Sequence, residues 1–150
     1  MKEIKICSAG INHTAADLGE FDNLTDYTYV HPKLKRDIGG KVFLGEALKS
    51  SACEISFQTL APGQSAPILH KHKEHEEIYI IIKGEGQFQA DGEIFNVSEG
   101  SIIRVAPDCN RAYRNNSVSP MIFACIQCQA DSISSKFVED GYLGDGELKW

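Results

Sequence analysis

The stretch Gly63-Gln-Ser-Ala-Pro-Ile-Leu-His70-Lys-His72-Lys-Glu-His-Glu-Glu77-Ile-Tyr-Ile-Ile-Ile-Lys-Gly84 decides how this chain folds and what it can hold. Side chains at i and i+2 of a strand point to one face, so His70 and His72 project together. The four-residue gap Lys73-Glu74-His75-Glu76 has the length of a hairpin loop, and Glu77 then opens the β-rich run Ile78 to Ile82. If that run pairs with the histidine strand, Glu77 faces both imidazoles. Two His and one carboxylate with open positions form a recurring ligand set for non-haem iron, and the set also suits zinc, nickel and manganese. On spacing alone, a solvated His/Lys/Glu turn between two strands is an equal alternative.

Outward from this stretch the pattern is β. Cys53, Ile55, Phe57 and Thr59 alternate with Glu54, Ser56 and Gln58, and Ala61-Pro62-Gly63 breaks that strand. Gly84-Glu85-Gly86 is a second break. Gln87–Ala90 and Glu93–Val97 flank Asp91-Gly92, a strong type I′ hairpin signal. Ser101–Val105, Arg111–Arg114 and Met121–Gln129 read as strands, joined by turns at Pro107–Asn110 and Asn115–Pro120. No amphipathic helix falls between Cys53 and Gln129, so the core is an all-β sandwich or small barrel. Residues 1–40 are weakly patterned and predict an arm with one or two short strands. A turn at Gly39-Gly40 and a strand over Lys41–Leu44 follow. The tail 130–150 carries Phe137, Tyr142, Leu143, Leu148 and Trp150 and is expected to pack on the barrel or on a partner subunit.

A length of 150 residues fits one domain with a hydrophobic core. The longest apolar run is too short to cross a membrane. The N-terminus lacks the apolar region of a signal peptide, so a cytoplasmic location is expected. The net charge of −6 and the short cationic cluster Lys33, Lys35 and Arg36 argue against nucleic-acid binding. Five cysteines, an odd number with no disulfide-like framework, suit a reducing compartment. Cys125 and Cys128 form a C-x-x-C, but residues three apart on a strand face opposite sides, so they read as buried thiols rather than a zinc site.

These motifs resemble those of the cupin family of small β-barrels. The first cupin motif runs from a glycine through H-x-H and Glu to a second glycine. It is met here by Gly63, His70, His72, Glu77 and Gly84, with one extra residue after Gly63. Fifteen residues separate Gly84 from Gly100, as in compact microbial cupins. In the second motif Gly100 and Asn115 stand at the family spacing, but Ala106 replaces Pro, Asp108 replaces Gly and Arg111 replaces His. Asp tolerates the left-handed conformation that glycine often supplies, so the turn can survive. The resemblance implies a single cupin domain over 1–150, a double-stranded β-helix (jelly-roll) barrel. Residues 1–50 would form the arm and flanking strands, 52–129 the barrel and 130–150 the tail. It also implies a divalent metal (Fe, Zn, Ni or Mn) on His70, His72 and Glu77, and a homodimer paired through edge strands.

The family's fourth ligand does not carry over, because a guanidinium has no lone pair to offer. Three readings of Arg111 stand open. It can support a three-ligand metal centre and bind a substrate anion. It can pair with Glu77 in a metal-free barrel. It can point outward at the barrel mouth. Strand parity puts Arg111, Tyr113 and Asn115 on one face, the expected interior. Tyr79 shares the parity of Glu77 and is a candidate pocket wall or acid, against a plain core aromatic. His75 reads as an exposed turn histidine or a general base at the mouth. Cys109 reads as a mouth-lining thiol. Phe57, Phe88 and Phe123 read as core. His13 and His31 are given no role. The resemblance permits dioxygenase, isomerase, decarboxylase or lyase chemistry on a small anionic organic or sugar-like molecule. The alternative is a non-catalytic, metal-free binding module with Arg111 paired to Glu77.

Overall fold

β-branched and aromatic runs punctuated by Gly, Pro, Asn and Asp give this chain a series of short strands and very little helix. The computed structural model describes residues 2–32, 35–134 and 139–150. The elements are β1 (Lys5–Ala9), β2 (Thr14–Asp17), a 3-10 helix (Phe21–Asp26), β3 (Thr28–His31), β4 (Arg36–Gly39), β5 (Lys41–Phe43) and α1 (Gly45–Leu48). They continue with β6 (Cys53–Leu60), β7 (His75–Lys83), β8 (Glu85–Ala90), β9 (Glu93–Ser98), β10 (Ile102–Val105), β11 (Arg111–Arg114) and β12 (Met121–Gln129).

A five-stranded sheet has the order β10-β7-β12-β6-β5, and a three-stranded sheet the order β11-β8-β9. β1-β2 and β3-β4 are separate hairpins. Every named pairing is antiparallel. Strand-to-strand jumps such as β7 to β12 give the jelly-roll topology, and the ladders do not close into a continuous ring. At the β8–β9 turn both Asp91 and Gly92 take positive φ, as a type I′ turn requires.

Two cores lie on opposite faces of the five-stranded sheet. The inner one joins the two larger sheets through Leu60, Tyr79, Ile81, Phe88, Val97, Val105, Met121, Phe123 and Cys125. The outer one is closed by the arm: Leu18, Leu24 and Tyr27 pack with Val42, Leu44 and Ile122, supported by Ile55, Phe57 and Ile82. In β6 the apolar residues Ile55 and Phe57 therefore face the arm, while Ser56 and Gln58 are buried on the barrel side. Among the described residues no helix is long and apolar enough to cross a membrane.

Several expectations are revised. The arm holds four short strands and a 3-10 helix rather than one or two strands. The histidine segment is not a strand hairpin-paired with the Glu77 run. It touches β11 through isolated bridges, Ser65 to Arg114 and His70 to Arg111, because β7 already pairs with β10 and β12 on its two sides. The described apolar side chains of the tail do not pack on the barrel: Tyr142, Leu143, Leu148 and Trp150 are at least 81% exposed. Lys33 and Phe137 lie outside the described residues.

Candidate metal centre

His70 is fixed by its backbone. His70 N donates to Arg111 O at 3.2 Å and Arg111 N donates to His70 O at 3.1 Å, a reciprocal pair that ties the loop to β11. His72 N donates to Pro107 O at 3.0 Å. These anchors do the work expected of a strand pairing, so the two imidazoles still turn the same way. Their ring centroids are 5.6 Å apart and perpendicular. Glu77 is the third residue of β7 and sits across from Gln127 of β12, in the middle of the sheet.

Together His70, His72 and Glu77 offer ligand atoms that all lie within 4.8 Å of one another, close enough to hold one metal ion. His72 Nε2 lies 3.1 Å from Glu77 Oε1, and His70 Nε2 3.9 Å from Glu77 Oε2. Burial, reinforced by the nearby Arg111 charge, holds the His70 pKa below its ordinary value. A neutral imidazole is the form that ligates a metal.

Arg111 points inward, and the outward reading is excluded. It is 0% exposed. Nε and Nη2 both donate to Glu77 Oε2, at 3.0 and 2.7 Å, while Nη1 donates to Cys109 O at 3.0 Å. Tyr79 OH donates to the same Glu77 oxygen at 2.7 Å. Burial opposes ionisation of Glu77, but the hydrogen bonds from Tyr79 and Arg111 and the Arg111 charge outweigh it and hold the carboxyl pKa low. The two oxygens of Glu77 are thus divided. Oε2 is committed to Arg111 and Tyr79, and Oε1 faces His72.

The other singled-out residues fall in different places. Tyr79 lines the site, but burial first, and neighbouring negative groups after it, push its pKa far up, and its proton is committed to Glu77. His75 opens β7 and lines a neighbouring hollow beside α1, with its ring centroid 6.4 Å from that of His72. Cys109 lies half-buried against the barrel core, close to Asp91. Cys125 faces the inner core, whereas Cys128 sits across from Cys53 on the other face.

Three residues that sequence reasoning missed complete the surroundings. Gln127 Nε2 lies 3.2 Å from both ring nitrogens of His72, an amide laid against the imidazole. Gln58 Oε1 accepts from Tyr113 OH at 3.1 Å and from Lys41 Nζ at 3.3 Å. The inward parity of Gln58 and Gln127 on their strands was the only available signal. The ligand group opens on a cavity of about 500 Å³, walled by Tyr29, Phe43, Tyr113 and Cys125 among others.

Residues 56–127 match the cupin domain family. The crystal structure of a cupin protein from Bacteroides fragilis is 36% identical and superposes with a TM-score of 0.67, covering 69% of this chain and 88% of that one. The chain is a cupin. An uncharacterized protein of Methanocaldococcus jannaschii is 31% identical over 105 residues, 67% of this chain and 82% of the relative. The structure of a predicted oxalate decarboxylase from Thermotoga maritima is 26% identical, with a TM-score of 0.55 over 63% of this chain and 83% of that one. In this cupin, Arg111 stands at the second-motif histidine position and sits against the Glu77 carboxylate.

Proposed function

We propose that this cupin binds a divalent metal ion through His70, His72 and Glu77 and uses it to hold or transform a small anionic organic molecule. The observation that carries this reading is the division of Glu77. Arg111 and Tyr79 orient the carboxylate through Oε2 and leave Oε1 to His72, with His70 3.9 Å from Oε2. Second-sphere donors of this kind position a metal-binding carboxylate and tune its basicity. The arrangement also answers an electrostatic objection. Arg111 beside a divalent ion costs several kcal/mol when the two charges are ~4 Å apart at an effective dielectric near 20. Here the Glu77 carboxylate stands against the guanidinium and neutralises it.

A bound metal supplies Lewis acidity or an oxygen-binding position. The chain's own residues supply the remainder. Tyr79 and Arg111 keep Glu77 ionised, and Gln127 steadies the His72 ring. The Thermotoga maritima relative supports a small carboxylic acid as ligand.

Metal content measured by plasma mass spectrometry on untagged protein, purified without chelators, tests the reading. The expected result is near one metal per chain, lost in the His70→Ala/His72→Ala double variant. No metal after reconstitution overturns it. The reading then favoured is a metal-free binding module, and the observation supporting that alternative is the Arg111–Glu77 pair at 2.7 Å.

A further inference from the structure

Arg111 is the cation that the motifs put forward for holding an anionic ligand, yet it is fully buried and spends its donors on Glu77 and two backbone carbonyls. The cavity contains a different cation that no motif marks. Lys41 lies on β5, one of the two edge strands of the five-stranded sheet, directly across from Gln58 of β6. Val42 turns into the arm core, so Lys41 and Phe43 turn the other way, and both line the cavity that holds His70, His72 and Glu77.

The surroundings of Lys41 are those of a charge awaiting a counter-ion. Its Nζ donates to the neutral amide oxygen of Gln58 at 3.3 Å and stands over the Phe43 ring, 4.9 Å from the centroid. Gln58 shares that oxygen with Tyr113. Among the described residues no carboxylate lies within ion-pair distance of Lys41. An ammonium has three donors, and one is used. Burial lowers its pKa, only partly offset by Cys125 and Glu77, so the site as it stands does not fully support the charge. Lys71 also borders the cavity, but it is exposed and solvated at the rim.

We propose that Lys41 is the anion-binding residue of this cavity, pairing with a carboxylate or phosphoryl oxygen of a small ligand whose other end reaches the His70–His72–Glu77 group. The far end of that ligand rests on the metal-centre reading given above, whereas the Lys41 end does not. The ligand class is a small bifunctional anion with one end for the metal group and one for the ammonium. Lys41 is the cation placed inside the cavity to fix the second end.

Calorimetric titration of oxalate and, separately, of inorganic phosphate into manganese-loaded protein tests this. The proteins are wild type, Lys41→Met and Lys41→Arg, each first checked for metal content and melting temperature. The expected result is equal metal loading in all three, with at least tenfold weaker oxalate or phosphate binding in Lys41→Met and most of the affinity kept in Lys41→Arg. The preferred probe tells carboxylate from phosphoryl. Unchanged affinity in a folded, loaded Lys41→Met overturns the assignment, as does a loaded wild type that binds neither probe. If the wild type takes up no metal, the centre fails but Lys41 is still judged, by the same comparison on metal-free protein. Weaker binding in Lys41→Met supports it there, and equal or absent binding overturns it.

Discussion

Arg111 is the residue on which the chemistry of the barrel turns. Truncating it to alanine leaves Glu77 as a buried carboxylate that keeps Tyr79 but loses the cation it is paired with. Breaking one side of a buried ion pair costs about 3–5 kcal/mol. Arg111→Ala is therefore expected to lose that much in urea unfolding. Arg111→His behaves differently. It restores the second-motif imidazole and removes a positive charge, and chelator competition is expected to show at least tenfold tighter metal binding than wild type. Equal affinity would mean that an imidazole at 111, shorter than the guanidinium side chain, does not reach the His70–His72–Glu77 group. Cys125 gives a pH test. Burial, followed by the negative charge of Glu77, pushes its thiol up to about 12. The unfolded thiol ionises near 8.5, so over that window the folded state holds a proton that the unfolded state has lost. Stability is full below the window and falls as pH rises through it, by up to ~1.4 kcal/mol per pH unit for this group. Denaturant midpoints from pH 8 to 11 are expected to drop less steeply in Cys125→Ala. At the residue scale the sequence was most legible where spacing carries chemistry, as in His70, His72, Glu77 and the inward parity of Arg111. Lys41, Gln58 and Gln127 were illegible because a polar residue reads as solvent-facing, whether on a three-residue strand such as β5 or in the alternation of β6 and β12. Only the sheet order makes it a wall.

At the scale of elements, two turns hold the barrel in register. Asn115 is 1% exposed. Its Nδ2 donates to Leu60 O at 2.9 Å and Ser119 O at 2.7 Å, and its Oδ1 accepts from Ser117 N at 2.9 Å. The residue thereby ties the end of β6 to the turn between β11 and β12. Asn115→Ala removes these bonds and leaves the buried Leu60 carbonyl without its side-chain donor, and a loss of about 1–3 kcal/mol is expected from chemical denaturation. Gly84 turns β7 into β8 at φ +80°, where an added Cβ would collide with the Pro120 carbonyl oxygen. Gly92 also has positive φ, but nothing lies within 4 Å of its Cβ position. Gly84→Ala is thus expected to destabilise more than Gly92→Ala, and the difference in their denaturant midpoints measures the collision. Equal losses would reduce Gly84 to a backbone-conformation role. The barrel strands were legible because alternation and turn residues recur at short intervals. The histidine segment misled because H-x-H alternation suggests a strand, while the segment is held by only two bridges and one bond to Pro107 O.

On the scale of the whole molecule, β12 carries both cores back to back. Ile122 faces the arm core and Phe123 the barrel core, each nearly inaccessible to solvent. β10 ends the five-stranded sheet with Ile102 exposed, and such an edge invites pairing with a second copy. Light scattering at micromolar concentration is expected to give the mass of a homodimer, and a monomer would rule this out. The arm was the least legible part of the chain. Its strands are four or five residues long, and its apolar residues are spaced by glycines and aspartates rather than by a period. Its role becomes visible only when Leu24, 1% exposed, is seen to seal Ile55 and Phe57 on the outer face of β6. Those β6 side chains make the arm necessary, since without it an apolar sheet face would meet water. Leu24→Ala is accordingly expected to cost about 2–5 kcal/mol, the range for a buried leucine, and to lower the melting temperature of the whole barrel in one transition. Phe123→Ala, on the other face of the sheet, is expected to cost about 3–5 kcal/mol. If the arm were a peripheral strap, Leu24→Ala would leave the main transition in place and add a separate early one. A single lowered transition in both variants would show that the two cores fold as one cooperative unit, with the arm wall of the cavity (Tyr29, His31 and Ile38) as stable as the His70–His72–Glu77 group it faces.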